Sequence, residues 1–442
     1  MSQAEDTGVT PQKKSYYGLE DRPPAGERFI LGLQHMLAMF VGVITPPMLI
    51  ANAAGLGPEN TGFMVSMALI MSGIVTFVQC RRFGPLGAGL LGVTGTSFTF
   101  VPMAMAAASA GGIPLVLGMA LITSPVEMII SRFIKQAKIL FPPLVTGTVV
   151  TLIGLTLIEA GMQDFAGGAG AADFGSPRNL LLGLFVLTVI IICSRFGSGL
   201  IKIGAIAIGL ISGYIVAIPL GMVDFAPILD AGWFTVPRPL HFGLDFDLAH
   251  LLPWMIAFVV TSIESIGDLT AIAETSGEPV RGELHQERLS RGLLAEAIGS
   301  AVSAIFGVMP NTTFSQNIGV IQITKVGSRV VGYVVALLLL VLGFFPRFGA
   351  LISVMPAPVL GGATLALFGM IASAGINIVT RDGFSDRKAF IFSISLSVGL
   401  GVTYFPEIGE QLPEFLEVLF TSGVAAGALF AIVLNLVVPE NE

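Results

Sequence analysis

The stretch NTTFSQNIGVIQITK, residues 311–325, places two amides and several hydroxyls inside an otherwise apolar part of the chain. A polar group without a partner costs several kcal/mol in hydrocarbon, so this segment cannot face lipid. Its polar side chains must line a cavity or a protein-filled interior. A half-helix that begins within the stretch would aim free backbone N–H groups and the positive end of its dipole at a bound acceptor.

The composition is typical of a protein that crosses a membrane many times. Of the 442 residues, 54% are hydrophobic and 12% are charged, whereas soluble domains carry about 25% charged residues. The 54 glycines suit close packing of helices in lipid. Cys80 and Cys193 lie in or beside apolar runs and imply no disulfide framework. A membrane-embedded enzyme is not indicated either, because the four scattered His and two distant Cys form no metal or nucleophile constellation.

Apolar stretches long enough to cross a bilayer, about 20 residues for a helix, recur along the whole chain. The third and tenth are short and are interrupted by Gly and polar residues. We predict an all-α polytopic membrane protein of fourteen spans near residues 29–49, 61–79, 90–109, 113–133, 141–161, 179–195, 203–222, 250–273, 291–308, 313–326, 328–345, 359–379, 388–405 and 418–438.

The distribution of basic residues predicts the orientation of these spans. With the N-terminus in the cytoplasm, 19 of the 22 Lys and Arg fall on the inner side, Lys13, Lys14, Lys135 and Lys138 among them. The outer loops keep three, Arg178, Arg238 and Arg347. A count with one span fewer would place every later loop on the opposite side of the membrane, and the basic residues would no longer be concentrated on the inner side. We therefore expect residues 1–27 to form a cytoplasmic tail and the C-terminus to lie in the cytoplasm. The spans are expected to lie in the cell (inner) membrane.

Two helices resemble each other half a chain apart. PLVTGTVVTLIGLTLIEAG (143–161) and PVLGGATLALFGMIASAG (358–375) share Pro, then Gly four residues on, then Gly seven further. Seven spans separate the copies, so the second enters the membrane from the opposite side. Residues 28–224 and 225–442 are thus predicted to be inverted repeats. Such repeats are typical of secondary transporters, whose substrate sites lie between broken helices at mid-membrane.

Glu264 and Asp268 are four residues apart and share one face of the eighth span. A carboxylate near mid-membrane is expensive unless it is paired, solvated or protonated. Glu264 lies deeper from the cytoplasmic end and is our candidate ligand of substrate N–H groups. Asp268 is expected to be a structural partner of the same site.

Other ionisable residues in the spans have less certain surroundings in sequence. Glu296 lies early in the ninth span, and we expect it to hydrogen-bond the backbone or hydroxyls of the broken tenth span; the alternative is an interfacial Glu that faces the cytoplasm. His35 in the first span is expected to hydrogen-bond between helices rather than to titrate. Glu127 and Glu159 have no polar cluster around them in sequence and are interpreted as structural.

The two broken segments also carry groups that suit a flat heterocycle. Gln316 offers a carbonyl and an amide side by side, which match a paired donor and acceptor edge. Phe98 and Phe314 occupy matching places in VTGTSFTF (93–100) and NTTFSQNI (311–318), where their rings are suited to stacking on a flat ring.

These motifs together resemble those of the nucleobase–ascorbate transporter family. QNIGVIQITK (316–325) matches the family signature of Gln, Glu or Pro, then Asn, any residue, Gly, four more, Thr, and Arg, Lys or Gly. ESIGD (264–268) looks like the carboxylate motif of the eighth span. QHMLAMFVG in the first span and GTSFTFVPM in the third are similar too. The resemblance extends over nearly the whole chain.

The resemblance implies a fold of two inverted seven-helix repeats. A core domain would hold spans 1–4 and 8–11, about residues 28–133 and 250–345. A gate domain would hold spans 5–7 and 12–14, about residues 141–222 and 359–438. Short strands in the third and tenth spans would cross beside the substrate, and homodimers through the gate domain are usual in the family.

The resemblance also implies roles for single residues. Glu264 and Gln316 would hydrogen-bond the base, and Phe98 and Phe314 would flank it. The remaining site residues would lie close by: backbone groups at Ser97 and Ser315, Asn317 holding the shape of the motif, and His35 supporting the site from the first span. Gln at position 316 looks like the branch that carries xanthine or uric acid. One departure is Glu296, where purine carriers commonly have Asp, and Lys325 replaces the Gly found at the end of some signatures.

We therefore expect proton-coupled uptake of a purine, xanthine or uric acid, with Glu296 or Glu264 carrying the proton and no other cofactor. The partners would be the base, the lipid bilayer and a second copy of the chain, with no nucleic acid. A uracil carrier is the alternative within the same class. An anion exchanger or channel of similar fold is the alternative from another class, and it would need a basic residue at the half-helix dipoles.

Overall fold

The computed structural model describes residues 17–134, 142–381, 383–409, 411–413, 416, 417, 420 and 422–439. Residues 1–16 of the predicted tail lie outside the described residues, as do Lys135, Lys138 and several positions of the last predicted span.

The described chain is almost entirely helical, as the apolar periodicity predicts. Its elements are α1 Ala25–Ala53, α2 Pro58–Arg81, β1 Thr94–Thr96, α3 Val101–Thr123, α4 Pro125–Ile130, α5 Pro143–Phe165, α6 Pro177–Phe196, α7 Leu200–Ile203, α8 Ala205–Ala217, α9 Ala226–Asp230, α10 Leu251–Thr275, α11 Glu283–Ile305, β2 Asn311–Thr313, α12 Gln316–Thr324, α13 Arg329–Phe344, α14 Pro346–Ser353, α15 Ala357–Thr380, α16 Asp386–Tyr404 and α17 Gly423–Val437. Short 3₁₀ turns lie at Phe98–Phe100, Leu248–His250 and Pro406–Gly409.

The described helices include seven that are long and apolar enough to cross a membrane, or eight if the bent pair α13 and α14 counts as one span. Helices α8 and α17 are apolar but shorter. The multi-pass membrane fold is therefore confirmed, while the count of fourteen spans stays a prediction. The predicted third and tenth spans are not continuous helices, because a short strand precedes the helical part of each.

Strands β1 and β2 form a two-stranded antiparallel sheet inside the protein. The register pairs Thr94 with Thr313, Gly95 with Thr312 and Thr96 with Asn311. The short strands expected in the third and tenth spans are thus present, and they meet. All six of these residues are buried. Because the strands pair with each other, their backbone groups are satisfied without helical hydrogen bonds.

Neighbouring helices hold this sheet in place. Thr96 donates its hydroxyl hydrogen to the carbonyl of Val43 on α1 at 2.8 Å. The backbone N–H of Thr94 donates to the hydroxyl of Thr76 on α2 at 3.0 Å. Gly95 has no room for a side chain, since a Cβ there would lie 2.8 Å from a methyl of Val43 and 2.9 Å from the ring of Phe314. The polar backbone of both strands therefore sits within protein rather than lipid.

The boundary between the third and fourth predicted spans is a break within α3. Gly112 has φ +72° and ψ −168°, which a helix cannot accommodate. Pro114 follows and lacks the N–H that would continue the ladder of helical hydrogen bonds. The chain therefore turns at Gly112, where the sequence predicts one span to end and the next to begin.

The two helices of the predicted repeat, α5 and α15, make the most extensive helix–helix contact among the described elements. A Cβ at Gly147 would lie 2.7 Å from the carbonyl oxygen of Gly375, and one at Gly154 would lie 2.8 Å from the Cα of Ala372. As one helix ascends the other descends, so they run antiparallel. Glycine at these positions lets the two backbones approach closely.

The remaining helices pack in two groups. One comprises α1, α2, α3, α10, α11, α12 and α13, and the other comprises α5, α6, α8, α15, α16 and α17. Between the groups, the main described contacts join α1 to α8 and α10 to α5 and α17. The central cavity described below lies between the two groups.

The described N-terminal segment is bound to the loop that follows α12. The backbone N–H of Tyr17 donates to the carbonyl of Lys325 at 3.2 Å, and that of Gly327 donates to the carbonyl of Tyr17 at 2.8 Å. Arg329 pairs with Glu20. The end of the predicted tail therefore packs beside the end of the sequence signature rather than standing free of it.

Candidate functional site

A cavity of about 260 Å³ lies where the two-stranded sheet, α10 and α12 face helices α5 and α15. We call it the central cavity. Sites for drug-sized ligands begin at about 300 Å³, so this volume suits one small molecule. All six residues predicted to contact substrate line it: Glu264, Gln316, Phe98, Phe314, Ser315 and Ser97.

Glu264 is the one charged side chain among the described residues that line the central cavity. It lies on α10 and is half-buried. The hydroxyl of Thr99, in the 3₁₀ turn after β1, donates to its carboxylate at 3.3 Å. One carboxylate oxygen is thus engaged by the protein while the group still faces the cavity, where it can accept hydrogen bonds from a ligand.

Ser315 and Gln316 lie at the beginning of α12 and are exposed, although their neighbours Phe314 and Asn317 are buried. The exposed surface of both faces the central cavity. Ser315 donates its hydroxyl hydrogen to the carboxylate of Asp268 at 2.9 Å. Asp268 does not line the cavity, and this contact is consistent with its predicted role as a partner of the site.

Phe98 and Phe314 both line the cavity and are nearly buried, with 8% and 4% of their surfaces exposed. The ring of Phe314 packs where Gly42 and Gly95 leave space, since a Cβ on either glycine would meet it within about 3.3 Å. Phe98 makes an edge-to-face pair with Phe368 on α15, with ring centroids 6.0 Å apart. The two rings therefore provide an apolar surface in the cavity beside the polar groups described above.

The wall opposite the sheet is apolar and comes from the second group of helices. Val150 and Ile153 on α5, with Met370, Ile371 and Ala374 on α15, complete the lining. The cavity is therefore polar on the side of α10 and α12 and apolar on the side of α5 and α15. Such a site suits a flat molecule with hydrogen-bonding edges and apolar faces.

Glu296 lies beneath the sheet and is fully buried, so the alternative of an interfacial Glu facing the cytoplasm is wrong. Its carboxylate accepts hydrogen bonds from the hydroxyls of Ser265 on α10 and Thr313 on β2. Gln79 on α2 donates an amide hydrogen to it at 3.2 Å. The expected contact with a hydroxyl of the broken segment is present. Ser265 also lies 3.1 Å from the hydroxyl of Thr312, which lines the cavity, so the network reaches the site.

Asn317 ties α12 to α1. Its side-chain amide donates to Nδ1 of His35 and to the backbone carbonyl of the same residue, both at 3.0 Å. Both residues are fully buried. His35 thus hydrogen-bonds between helices, as expected, and this contact holds the helix that presents Gln316.

Sequence reasoning missed several residues of the site. Thr99 and Gln79 are ordinary in sequence and gain their roles only through distant partners, Glu264 and Glu296. The apolar wall from α5 and α15 carries no local signal that separates it from other membrane helices. Thr99 lies within the quoted third-span motif, which was the one available hint.

Comparison with known proteins identifies the family. A family model described as "Permease family", that of the xanthine and uracil permeases, matches residues 26–408. Among similar proteins, "Xanthine permease XanP" of Escherichia coli (strain K12) is 43% identical over 452 residues, covering 99% of this chain and 98% of the relative. "Xanthine permease XanQ" of the same strain is 39% identical over 435 residues, covering 96% and 93%.

A solved structure shows the same fold. The transmembrane domain of the cyanobacterial bicarbonate transporter BicA superposes with a TM-score of 0.63 at 15% identity, covering 93% of this chain and 99% of that one. At this identity the likeness concerns the fold alone. The family match and the two full-length relatives are the stronger findings, and by them this multi-pass membrane protein belongs to the xanthine/uracil permease family of transporters.

Proposed function

We propose that the protein takes up a purine base, with xanthine preferred, in symport with a proton. The observation that carries the proposal is that Glu264 and Gln316, 52 positions apart in sequence, line one cavity. Two full-length relatives named as xanthine permeases support the choice of base. Membership of a transporter family supports transport rather than catalysis.

The chemistry of the polar wall matches the edges of an oxidised purine. A carboxylate accepts hydrogen bonds only, so Glu264 would receive the N–H groups of the base. The amide of Gln316 both donates and accepts, so it would pair with a carbonyl and an adjacent N–H. The hydroxyl of Ser315 is already directed to Asp268, which leaves its oxygen as an acceptor.

Apolar side chains on two sides of the cavity would bind the faces of the ring. Phe98 and Phe314 lie on one side, and Met370 and Ile371 lie on the helix opposite. Aromatic and thioether groups make favourable contacts with flat rings. A base held in this way would touch both groups of helices at once, so its binding would couple them.

We propose Glu296 as the carrier of the coupling proton. When ionised it accepts three hydrogen bonds, from Ser265, Thr313 and Gln79. When protonated it must donate one instead, so at least one of these contacts has to be rearranged. Because Thr313 belongs to the strand that precedes Ser315 and Gln316, this rearrangement would change the position of the residues that contact the base.

The packing supports a division into moving parts. We propose that the group containing α1, α10 and α12 is the core domain, about residues 28–133 and 250–345. The group containing α5 and α15 would be the gate domain, about residues 141–222 and 359–438. Movement of the core against the gate would open the central cavity to one side of the membrane and then the other. Homodimers through the gate domain and cytoplasmic termini belong to the same proposal.

The anion exchanger is less well supported, although the fold is shared with a bicarbonate transporter. Among the described residues that line the central cavity there is no Lys or Arg, and Glu264 is acidic. A bound anion would be repelled by that carboxylate.

The test is uptake of radiolabelled xanthine into proteoliposomes that contain the purified protein. We expect accumulation under an inward proton gradient, its collapse with a protonophore, and competition by purines rather than by uracil. Uric acid in the same competition assay ranks the two candidate purines. Uptake that survives the protonophore and requires sodium would replace the coupling ion, and preferential competition by uracil would overturn the proposed base.

A further inference from the structure

Glu127, on α4, is a buried carboxyl that the site described above does not use. None of its surface is exposed. Neither carboxylate oxygen has a hydrogen-bond partner among the residues that the structure describes. Sequence reasoning interprets this residue as structural, but a structural carboxyl is normally satisfied by donors.

An ionised carboxylate is strongly disfavoured in such a place. Removing a charge from water without a partner is far more costly than burying a neutral polar group. The nearby hydroxyl of Ser262 does not solve the problem, because it donates to the backbone carbonyl of Phe258 at 2.6 Å. In this conformation Glu127 is therefore held as a neutral carboxylic acid.

The charged group that acts on Glu127 is Glu296. Helix α4 packs against α10 and α11, and Val126 and Ile130 on either side of Glu127 pack in the same cluster as Leu293 of α11. Glu296 lies one turn beyond Leu293 and interacts electrostatically with Glu127. The other carboxyls facing this region, Glu264 and Asp268 on α10, interact with Glu296 as well.

Two carboxyls that interact electrostatically in a low-dielectric interior cannot easily be ionised together. Their surroundings differ sharply. Glu296 accepts three hydrogen bonds, from Ser265, Thr313 and Gln79, which favours its charged form. Glu127 receives none from the described residues, which favours its neutral form. A proton shared by the pair is therefore assigned to Glu127 in this conformation.

The position of Glu127 indicates the direction in which a proton would move between Glu296 and Glu127. It lies three residues before the end of the apolar segment Phe98–Ile130. In the orientation proposed above, that end of the fourth segment faces the cytoplasm. Glu127 would thus lie near the cytoplasmic end of its segment, toward the compartment that receives the coupling proton.

We propose that Glu127 is a second proton-carrying residue, which takes the coupling proton from Glu296 and releases it toward the cytoplasm. The step transfers one proton: the carboxylic acid of Glu296 becomes a carboxylate as the carboxylate of Glu127 becomes an acid, and no other reactant is needed. The inference rests on the proposed symport.

The test is Glu127→Gln in proteoliposomes, since glutamine keeps the shape of the side chain and removes the exchangeable proton. We expect xanthine affinity in equilibrium binding to stay within about twofold, because Glu127 does not line the central cavity. Accumulation driven by a proton gradient should fall about tenfold or more, as expected when a proton-transfer group is lost. Exchange of internal for external xanthine should persist, because exchange needs no release of the proton.

Two further variants test whether the effect depends on a carboxyl at position 127. Glu127→Asp keeps a carboxyl and should restore part of the accumulation with an altered pH profile. Asp164→Asn is the matched control. Asp164 is also buried with an unpartnered carboxylate oxygen among the described residues, but it lies on α5. We expect this control to accumulate xanthine as the unmodified protein does.

The inference is overturned if Glu127→Gln accumulates xanthine with the unmodified pH profile, or if it loses binding and accumulation together as a folding defect would. A different result would sink the proposed function instead, namely an unmodified protein that neither binds xanthine nor accumulates it under a proton gradient. The two failures are therefore distinguishable in one set of experiments.

Discussion

The hydroxyl of Thr99 donates a hydrogen bond to the carboxylate of Glu264 at 3.3 Å, joining residues that are 165 positions apart in the sequence. Thr99 belongs to the turn after β1 and Glu264 to the middle of α10. This contact fixes the orientation of the one charged group in the described lining of the central cavity. It makes Glu264 the first residue to test.

Glu264→Gln should abolish uptake of xanthine and weaken its binding about 10- to 100-fold. Hydrogen bonds to a charged group contribute about 1.5–3 kcal/mol, and an amide replaces one acceptor oxygen by a donor that faces the N–H groups of the base. Equilibrium binding by calorimetry measures the effect. Glu274→Gln, an exposed Glu at the end of the same helix, is the control. Full uptake by Glu264→Gln would remove this residue from the site.

Gln316→Glu should weaken xanthine binding and shift preference toward pyrimidines. The change replaces the amide N–H₂ donor with a second acceptor, so a base carbonyl facing it loses its partner. Competition of xanthine uptake by uracil is the measurement. Gln322→Glu, on the exposed face of the same α12, controls for the added charge. An unchanged competition profile for Gln316→Glu would argue against direct contact with the base.

Thr313→Val should alter the pH dependence of uptake more than the affinity for xanthine. The substitution removes one of three donors to the carboxylate of Glu296, so its ionised form is less stabilised. Losing stabilisation of the charged form makes Glu296 hold its proton to higher pH, so the pH profile of uptake should move upward. Thr148→Val removes a buried hydroxyl whose bond stays within α5, at 2.6 Å to Leu144, and should leave the profile in place. Identical profiles for both variants would contradict the role of Glu296.

Asn317→Ala should destabilise the protein and reduce binding through α12. The side chain makes both described contacts to His35, and leaving buried partners unsatisfied costs about 1–3 kcal/mol each. Thermal unfolding in detergent, with and without xanthine, separates loss of stability from loss of binding. Asn377→Ala removes an exposed amide from α15 and is expected to be neutral. A melting temperature equal to that of the unmodified protein would show that the tie to α1 is dispensable.

Gly154→Ala should lower the stability of the contact between α5 and α15. The added Cβ would lie 2.8 Å from the Cα of Ala372, and overpacking of this kind costs about 1–3 kcal/mol. Gly369→Ala, in the middle of α15, meets no atom within 4 Å and should be neutral or slightly stabilising. The same thermal assay compares the two. Equal melting temperatures would mean that the close contact between α5 and α15 does not contribute to the stability of the protein.

Much of the site was predictable because membranes penalise polar groups strongly. A carboxyl, amide or hydroxyl in a membrane span is unfavourable unless it has a partner, so Glu264, Glu296 and Gln316 were recognisable in the sequence. The broken segments were visible through their glycines and hydroxyls, and the strands that they contain are present. Glu127 did not stand out, because its neighbour Glu296 lies on another helix.

The sequence by itself determined that this is a multi-pass helical membrane protein with two interrupted segments rich in polar side chains. The reason is local, since hydropathy and polar interruptions are properties of neighbouring residues. Only the tertiary structure decided which wall faces those segments, which hydroxyls reach Glu264 and Glu296, and that Glu127 has no donor among the described residues. Those facts depend on packing between helices far apart in the chain, and many different partners satisfy the same local pattern.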